Sequence, residues 1–261
     1  GTGERGKQDA ELVCKQLSDA IGVSSEQVLP FSTGIIMEPL PVKKIINALS
    51  AGVKTLKSDN WRAAAAAIMT TDKVSKGFSS QIEVDRKTIT VTGIAKGSGM
   101  IHPNMATMLG FIATDASINQ GTLDKMISEI TRNSFNCISV DGDTSTNDSF
   151  ILIATGASAA QPIENKNSPN YKIIYEAIQD VAIELAKMIV RDGEGATKLV
   201  TVEVVGGGDK HECKEVAYSV ARSPLVKTAF FAEDPNLGRI LAAIGAATIV
   251  DVDWPKIKMW I

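Results

Sequence analysis

Cysteine, histidine and aromatic residues are scarce in this 261-residue chain, and each scarcity excludes something. The three cysteines, Cys14, Cys137 and Cys213, are odd in number, far apart and form no CxxC pair. Only two histidines accompany them, so a disulfide scaffold and a Cys/His zinc site are both excluded, and no metal is expected. Such cysteine use suits a reducing compartment. A basic excess is absent too: 27 Lys and Arg face 30 Asp and Glu, a net charge of −3, which argues against nucleic acid as a partner. Aromatics make up 5%, so aliphatic side chains must build the core. With 44% hydrophobic and 22% charged residues the chain is globular rather than disordered. One uncharged window, Gly97 to Thr114, reaches about the 18 residues of a membrane span. It carries His102, Pro103, Asn104 and three glycines, and no membrane partner is expected. No signal peptide opens the chain, which begins without Met and ends on the mostly apolar Ile257 to Ile261. It reads as a fragment.

Apolar spacing predicts a helix over 8–21, stopped by Gly22, then a Pro-punctuated loop from Leu29 to Pro41. Helices follow over 42–50 and 60–69, the second rich in alanine. Ile82-Glu83-Val84 and Ile89 to Thr92 alternate around Asp85-Arg86-Lys87, as a hairpin would. A helix is predicted over 123–135 and a strand over 150–155. Ser168-Pro169 reads as the cap of a long helix with Ile174, Ile178, Val181, Leu185 and Met188 on one stripe. Strands are predicted over 199–205 and 226–231, and helices over 212–222 and 236–245. Alternating strands and amphipathic helices give a mixed, layered α/β fold in one compact unit.

Several motifs fail. Asp141 to Asp148 resembles a calcium loop, but Thr146 and Leu152 stand where an EF-hand needs Gly and Glu, so local hydrogen bonding is the better reading. Gly97-Ser98-Gly99 lacks the third glycine of a dinucleotide fingerprint, and Gly193 to Lys198 lacks the order of a phosphate loop. His102 has no evident Ser or Cys partner as a catalytic base. What survives is Lys96 to Leu109, a glycine-rich stretch leading through Pro103 to the small step Ala106-Thr107. By composition alone Thr107 is an ordinary residue at the start of a strand.

This stretch resembles the self-cleavage motif of the ornithine acetyltransferase (glutamate N-acetyltransferase) family of arginine biosynthesis. Other blocks resemble the family's in the family's order: Phe31 to Gly34 with Glu38 to Pro41, Thr70-Thr71-Asp72, Val140 to Asp148, Asp192 to Lys198, and Asp234 to Ile240. The resemblance spans nearly the whole chain. It implies a sandwich of helices and sheets similar to the N-terminal-nucleophile hydrolases. It also implies cleavage between Ala106 and Thr107 into an α part (1–106) and a β part (107–261). A threonine hydroxyl needs a base, and cleavage turns an inert amide into an α-amine with an ordinary pKa of about 7.7–8.0, beside that hydroxyl. Thr107 then takes the acetyl group of N-acetylornithine and passes it to glutamate. Thr33 and Gly34 map to the oxyanion donors, worth several kcal/mol in such sites; a plain turn after Pro30 serves equally well for Gly34. Thr70, Lys96, Thr107 and Glu194 map to substrate contacts. Lys96 would hold a substrate carboxylate or assist cleavage, and Glu194 would pair with a substrate amine or the Thr107 amine. A solvated surface charge is the plain alternative for both, and a helix end with no role is the alternative for Thr70.

The resemblance implies no cofactor, leaves acetyl-CoA open as a second acetyl donor, and implies self-association of two copies of each fragment in the cytoplasm. Two departures stand out. Met37 replaces the family's usual glycine, and the family's opening and closing segments have no counterpart here, so this chain alone is expected to be weakly active or inactive. A similar-fold aminopeptidase, passing the acyl group to water, and an uncleaved module that only binds or assembles are the rival readings.

Overall fold

A computed structural model describes residues 2–102, 108–249 and 252–261. The chain opens with α1 (Gly3–Ile21), stopped by Gly22 at φ 76, and α2 (Val42–Lys54), with the expected irregular stretch from Leu29 to Pro41 between them. After the alanine-rich α3 (Trp61–Ala67) comes the hairpin of β1 (Lys76–Val84) and β2 (Lys87–Lys96). Asp85 and Arg86 form its two-residue turn at φ 51 and 62, the left-handed pair that matches the twist of the strands.

Two further strands, β3 (Leu109–Thr114) and β4 (Ser149–Ala154), complete a sheet of order β1-β2-β3-β4. The first three strands are antiparallel, and β4 joins β3 in parallel after a crossover through α4 (Gln120–Asn133). Alternation along β2 separates two environments. Ile89, Val91 and Gly93 face α5 (Tyr171–Arg191); a Cβ at Gly93 would lie 2.8 Å from Leu185 of that helix. The α5 stripe expected from sequence is buried at Ile174, Ile178, Val181 and Leu185, with Met188 at its half-buried edge. The opposite sheet face carries Lys96 and Phe111. Phe31, from the loop before α2, sets its ring edge-on to Phe111 at 5.0 Å. The site is built there.

Three expectations are corrected. Ser168 does not cap α5; its Oγ accepts the Glu164 and Asn165 amides at 3.1 and 3.2 Å, and the helix starts after Asn170. Residues 199–205 form no strand, because no described strand lies beside them to complete their backbone hydrogen bonds. The stretch 226–231 is helical, within α7 (Pro224–Phe231). Ser223 caps it by accepting the Val226 amide and Pro224 stands in its first turn, a start signal that outweighs the β-branched and aromatic composition. It packs with α6 (Lys210–Arg222) and α8 (Leu237–Gly245) around a small second core of Val220, Val226 and Ala243. No helix among the described residues is long and apolar enough to cross a membrane.

Candidate active site

Lys96 ends β2 and is 3% exposed, which removes the solvated-charge reading. Its Nζ donates to Thr33 Oγ1 at 3.3 Å, so the sheet and the Phe31–Gly34 loop meet on one ammonium. Burial draws the Lys96 pKa below the ordinary lysine value; nearby Asp72 opposes the shift, Lys76 reinforces it and Asp148 opposes it. Thr33 is half-buried and Gly34 exposed, with open space where a Cβ would stand. Glycine at 34 is therefore not required by crowding among the described residues. The cleavage pair Ala106 and Thr107 lies outside the described residues.

The first described residue after that pair, Met108, donates its amide to Asp148 Oδ1 at 2.7 Å. Burial pushes the Asp148 carboxyl up to about 6, against the pull of the Met108 amide and of Lys96. Neighbouring Asn147 donates to Ser32 O at 3.1 Å, tying the 141–148 loop to the Thr33 loop. At its other end, Asp141 accepts the amides of Met100, Ile101 and Asp143 at 2.6, 3.0 and 3.0 Å. The local side-chain-to-backbone bonds expected from sequence are those of Asp141 to the Asp143 amide and of Ser145 Oγ to the Asn147 amide at 3.2 Å; the others reach distant segments.

Glu194 is exposed in the turn after α5, and its amide donates to Ser98 O at 2.9 Å. Gly99 makes room for its carboxylate: a Cβ there would stand 2.7 Å from Glu194 Oε1. Thr70 reaches the same region through its backbone. Asp72 accepts the Thr70 amide at 3.1 Å and the Gly97 amide at 2.7 Å. The structure therefore brings Thr33 onto Lys96 directly, and links Thr70 and Glu194 to the Lys96–Gly99 segment through the main chain.

His102 is outside this chemistry. Its ring packs edge-on against Tyr218 at 5.1 Å, and Nε2 lies 3.0 Å from Arg222 Nη1. Burial and the Arg222 charge lower its pKa, so the ring is neutral and Nε2 accepts from the guanidinium. The nitrogen a base would use is occupied.

A family model described as the ArgJ family matches residues 1–261. This chain belongs to the ArgJ family. It is 52% identical over 265 residues to the arginine biosynthesis bifunctional protein ArgJ of Colwellia psychrerythraea, covering 100% of this chain and 62% of the relative. The chain thus spans about three fifths of that curated relative. The crystal structure of the arginine biosynthesis bifunctional protein ArgJ from Bacillus halodurans aligns at TM-score 0.53 and 46% identity, over 54% of this chain and 66% of that one. The layered α/β class expected from sequence is the class observed.

Within this ArgJ chain, sequence reasoning missed Asp148, Asp72 and Asp192, although each ends or begins a block quoted for the resemblance. An acidic residue among turn formers reads as loop chemistry. Only the fold shows that Asp148 takes an amide from β3's approach and that Asp72 takes one from the end of β2.

Proposed function

We propose that this chain belongs to a self-cleaving acetyltransferase, which moves an acetyl group from N-acetylornithine to glutamate through an acetyl-Thr107 intermediate. Cleavage between Ala106 and Thr107 divides it into parts 1–106 and 107–261 that stay associated, two of each in the working enzyme. The observation that carries this reading is the buried Lys96 ammonium donating to Thr33 Oγ1. That bond fills a lone pair of the hydroxyl and leaves its proton free to donate, as an oxyanion donor must. Gly34 adds an exposed backbone segment beside it. The Met108 amide, in the peptide unit that follows Thr107, is held by Asp148, whose carboxyl feels the Lys96 charge.

The chemistry needs neither metal nor redox cofactor, because each step only moves an acyl group and a proton. The Thr107 hydroxyl gives its proton to the Thr107 amine and its oxygen attacks the acetyl carbonyl. The tetrahedral oxyanion collapses and ornithine leaves with a proton; glutamate's amine then repeats the sequence in reverse. In this reading the protein works in the cytoplasm. Mass spectrometry of the complete protein checks it: two fragments meeting at Ala106/Thr107 are expected, and one intact chain for Thr107→Ala. With glutamate and water offered together, acetylated glutamate is expected; free acetate alone would make the protein a hydrolase of similar fold.

A further inference from the structure

We propose that Lys76, which touches no reacting atom, is the positioning residue of this site: its ammonium fixes where Thr70, Lys96 and Glu194 stand relative to one another. The inference rests on the reading of those three residues as substrate contacts. Lys76 opens β1 and is 1% exposed. Its three N–H donors are all taken, by Asp72 Oδ1 at 2.6 Å, by Asp192 Oδ2 at 2.6 Å and by Val74 O at 3.2 Å. Asp72 lies between α3 and β1, and Asp192 is the residue at the C-terminus of α5, where a cation is favoured by the helix dipole.

Each carboxylate carries a second load. Asp72 accepts the amides of Thr70 and Gly97, the residue after Lys96. Burial alone would raise the Asp72 pKa, yet the Gly97 amide, Lys76 and the Thr70 amide together hold it below the ordinary value, so it is a carboxylate here. Asp192 Oδ2 accepts the Lys73 and Val74 amides at 3.0 and 3.3 Å. Its carbonyl accepts Ser98 Oγ at 2.8 Å, and Ser98 O in turn accepts the Glu194 amide. Three separate stretches of chain, at 70–74, 96–98 and 192–194, thus converge on one nitrogen. A buried charge triad is a weak source of stability, since apolar replacements of such groups are often neutral or better. Setting the register of three segments is what this one does.

The charged groups around Lys96 make the role measurable. Asp72 and Asp148 favour its protonated form and Lys76 opposes it. Removing Lys76's charge must move the alkaline limb of the rate profile up, and removing Asp72's must move it down. These shifts read the charges that face Lys96, and hydrogen exchange in the three segments reads the positioning itself.

The test compares Lys76→Met, Asp72→Asn and the double variant in the complete protein. The double variant removes the Lys76–Asp72 pair, leaves Asp192 on the Lys73 and Val74 amides, and supplies a second sample if Lys76→Met alone fails to fold. Hydrogen exchange is read over 70–76, 94–102 and 192–198, with 174–186 of α5 as the reference. Acetyl transfer is read as kcat and KM against pH. Faster exchange in the three segments with α5 unchanged, and a kcat loss of about 100-fold, the scale of an ångström's misplacement, are expected. The two single variants should shift the alkaline limb in opposite directions. A folded double variant with wild-type exchange and wild-type turnover overturns the proposal. If the wild-type protein transfers no acetyl group, the substrate-contact reading fails, and the exchange data still decide whether Lys76 holds the three segments.

Discussion

Asp148 sits where a carboxylate is costly to ionise, and this makes it a pH-dependent load on stability. Its folded pKa of about 6 lies above the ordinary 3.8, so the folded state holds the proton more tightly than the unfolded chain. The contribution favours folding at low pH and turns unfavourable as pH rises from about 4 through about 6. Asp148→Asn keeps an oxygen for the Met108 amide and cannot ionise. Its melting temperature should exceed wild type by a few degrees at pH 8, with the advantage shrinking below pH 6 and gone near pH 4. An advantage that does not depend on pH would rule out this titration. Met37 supplies a second residue-scale case. It stands at φ 69, in the region glycine occupies readily, where the resembling family has glycine. A left-handed non-glycine residue costs about 1–2 kcal/mol. Glycine gives part of that back through unfolded-chain entropy, about 0.5–1 kcal/mol. Met37→Gly should therefore stabilise by about 0.5–1 kcal/mol in a urea titration. The departure is legible in the sequence; that the backbone keeps the glycine conformation regardless is not.

Elements set by local chemistry were legible, and those set by a neighbour were not. The β1–β2 hairpin, α1 with Gly22, and α5 carry their own patterns of alternation, stop residue and apolar stripe. The 199–205 stretch has strand composition and no described partner strand, so composition misleads. For 226–231 the deciding signal lies upstream, in Ser223-Pro224, which closes α6 and starts α7 at once. Ser223→Ala should cost about 1 kcal/mol, read by chemical denaturation, if that cap sets the start of α7. Within the sheet, Gly93 is a point of close approach between β2 and α5. A Cβ there would lie 2.8 Å from both Ile112 and Leu185 and 3.1 Å from Phe111 O, the last a backbone atom that cannot rotate away. Gly93→Ala should destabilise by about 1–3 kcal/mol through overpacking, and a variant of unchanged stability would show that α5 yields more easily than its burial suggests.

At the scale of the molecule, apolar burial is unevenly divided. The main core runs from β1 and β2 through β3 and β4 to α4 and α5, while α6, α7 and α8 close around Val220, Val226 and Ala243, with Val202, Phe230, Ile240 and Ile244 half-buried against them. The two are joined by polar ties rather than by a shared apolar core: Tyr218 Oη donates to Asn136 O at 2.8 Å, Lys210 to Asn133 Oδ1 at 2.6 Å, Lys214 to Arg132 O at 3.3 Å and Lys227 to Val140 O, and Arg222 meets His102. Local opening free energy follows buried apolar contact, so the α6–α8 unit should exchange its amides through an opening well below global unfolding. The site residues belong to the larger core, and Glu194 also borders a cavity walled by Val226 and Phe230 of α7. Thr33, Lys96, Asp148 and Glu194 are carried by the sheet, the loops at its edge and the end of α5, none by α6–α8. Val220→Ala should therefore speed exchange across 210–245, at a cost of about 1–3 kcal/mol to that unit, and leave the 88–98 and 174–186 peptides at wild-type rates. Exchange that rose equally in α5 would mean the two cores unfold as one, and the independence of the site from the C-terminal helices would be lost.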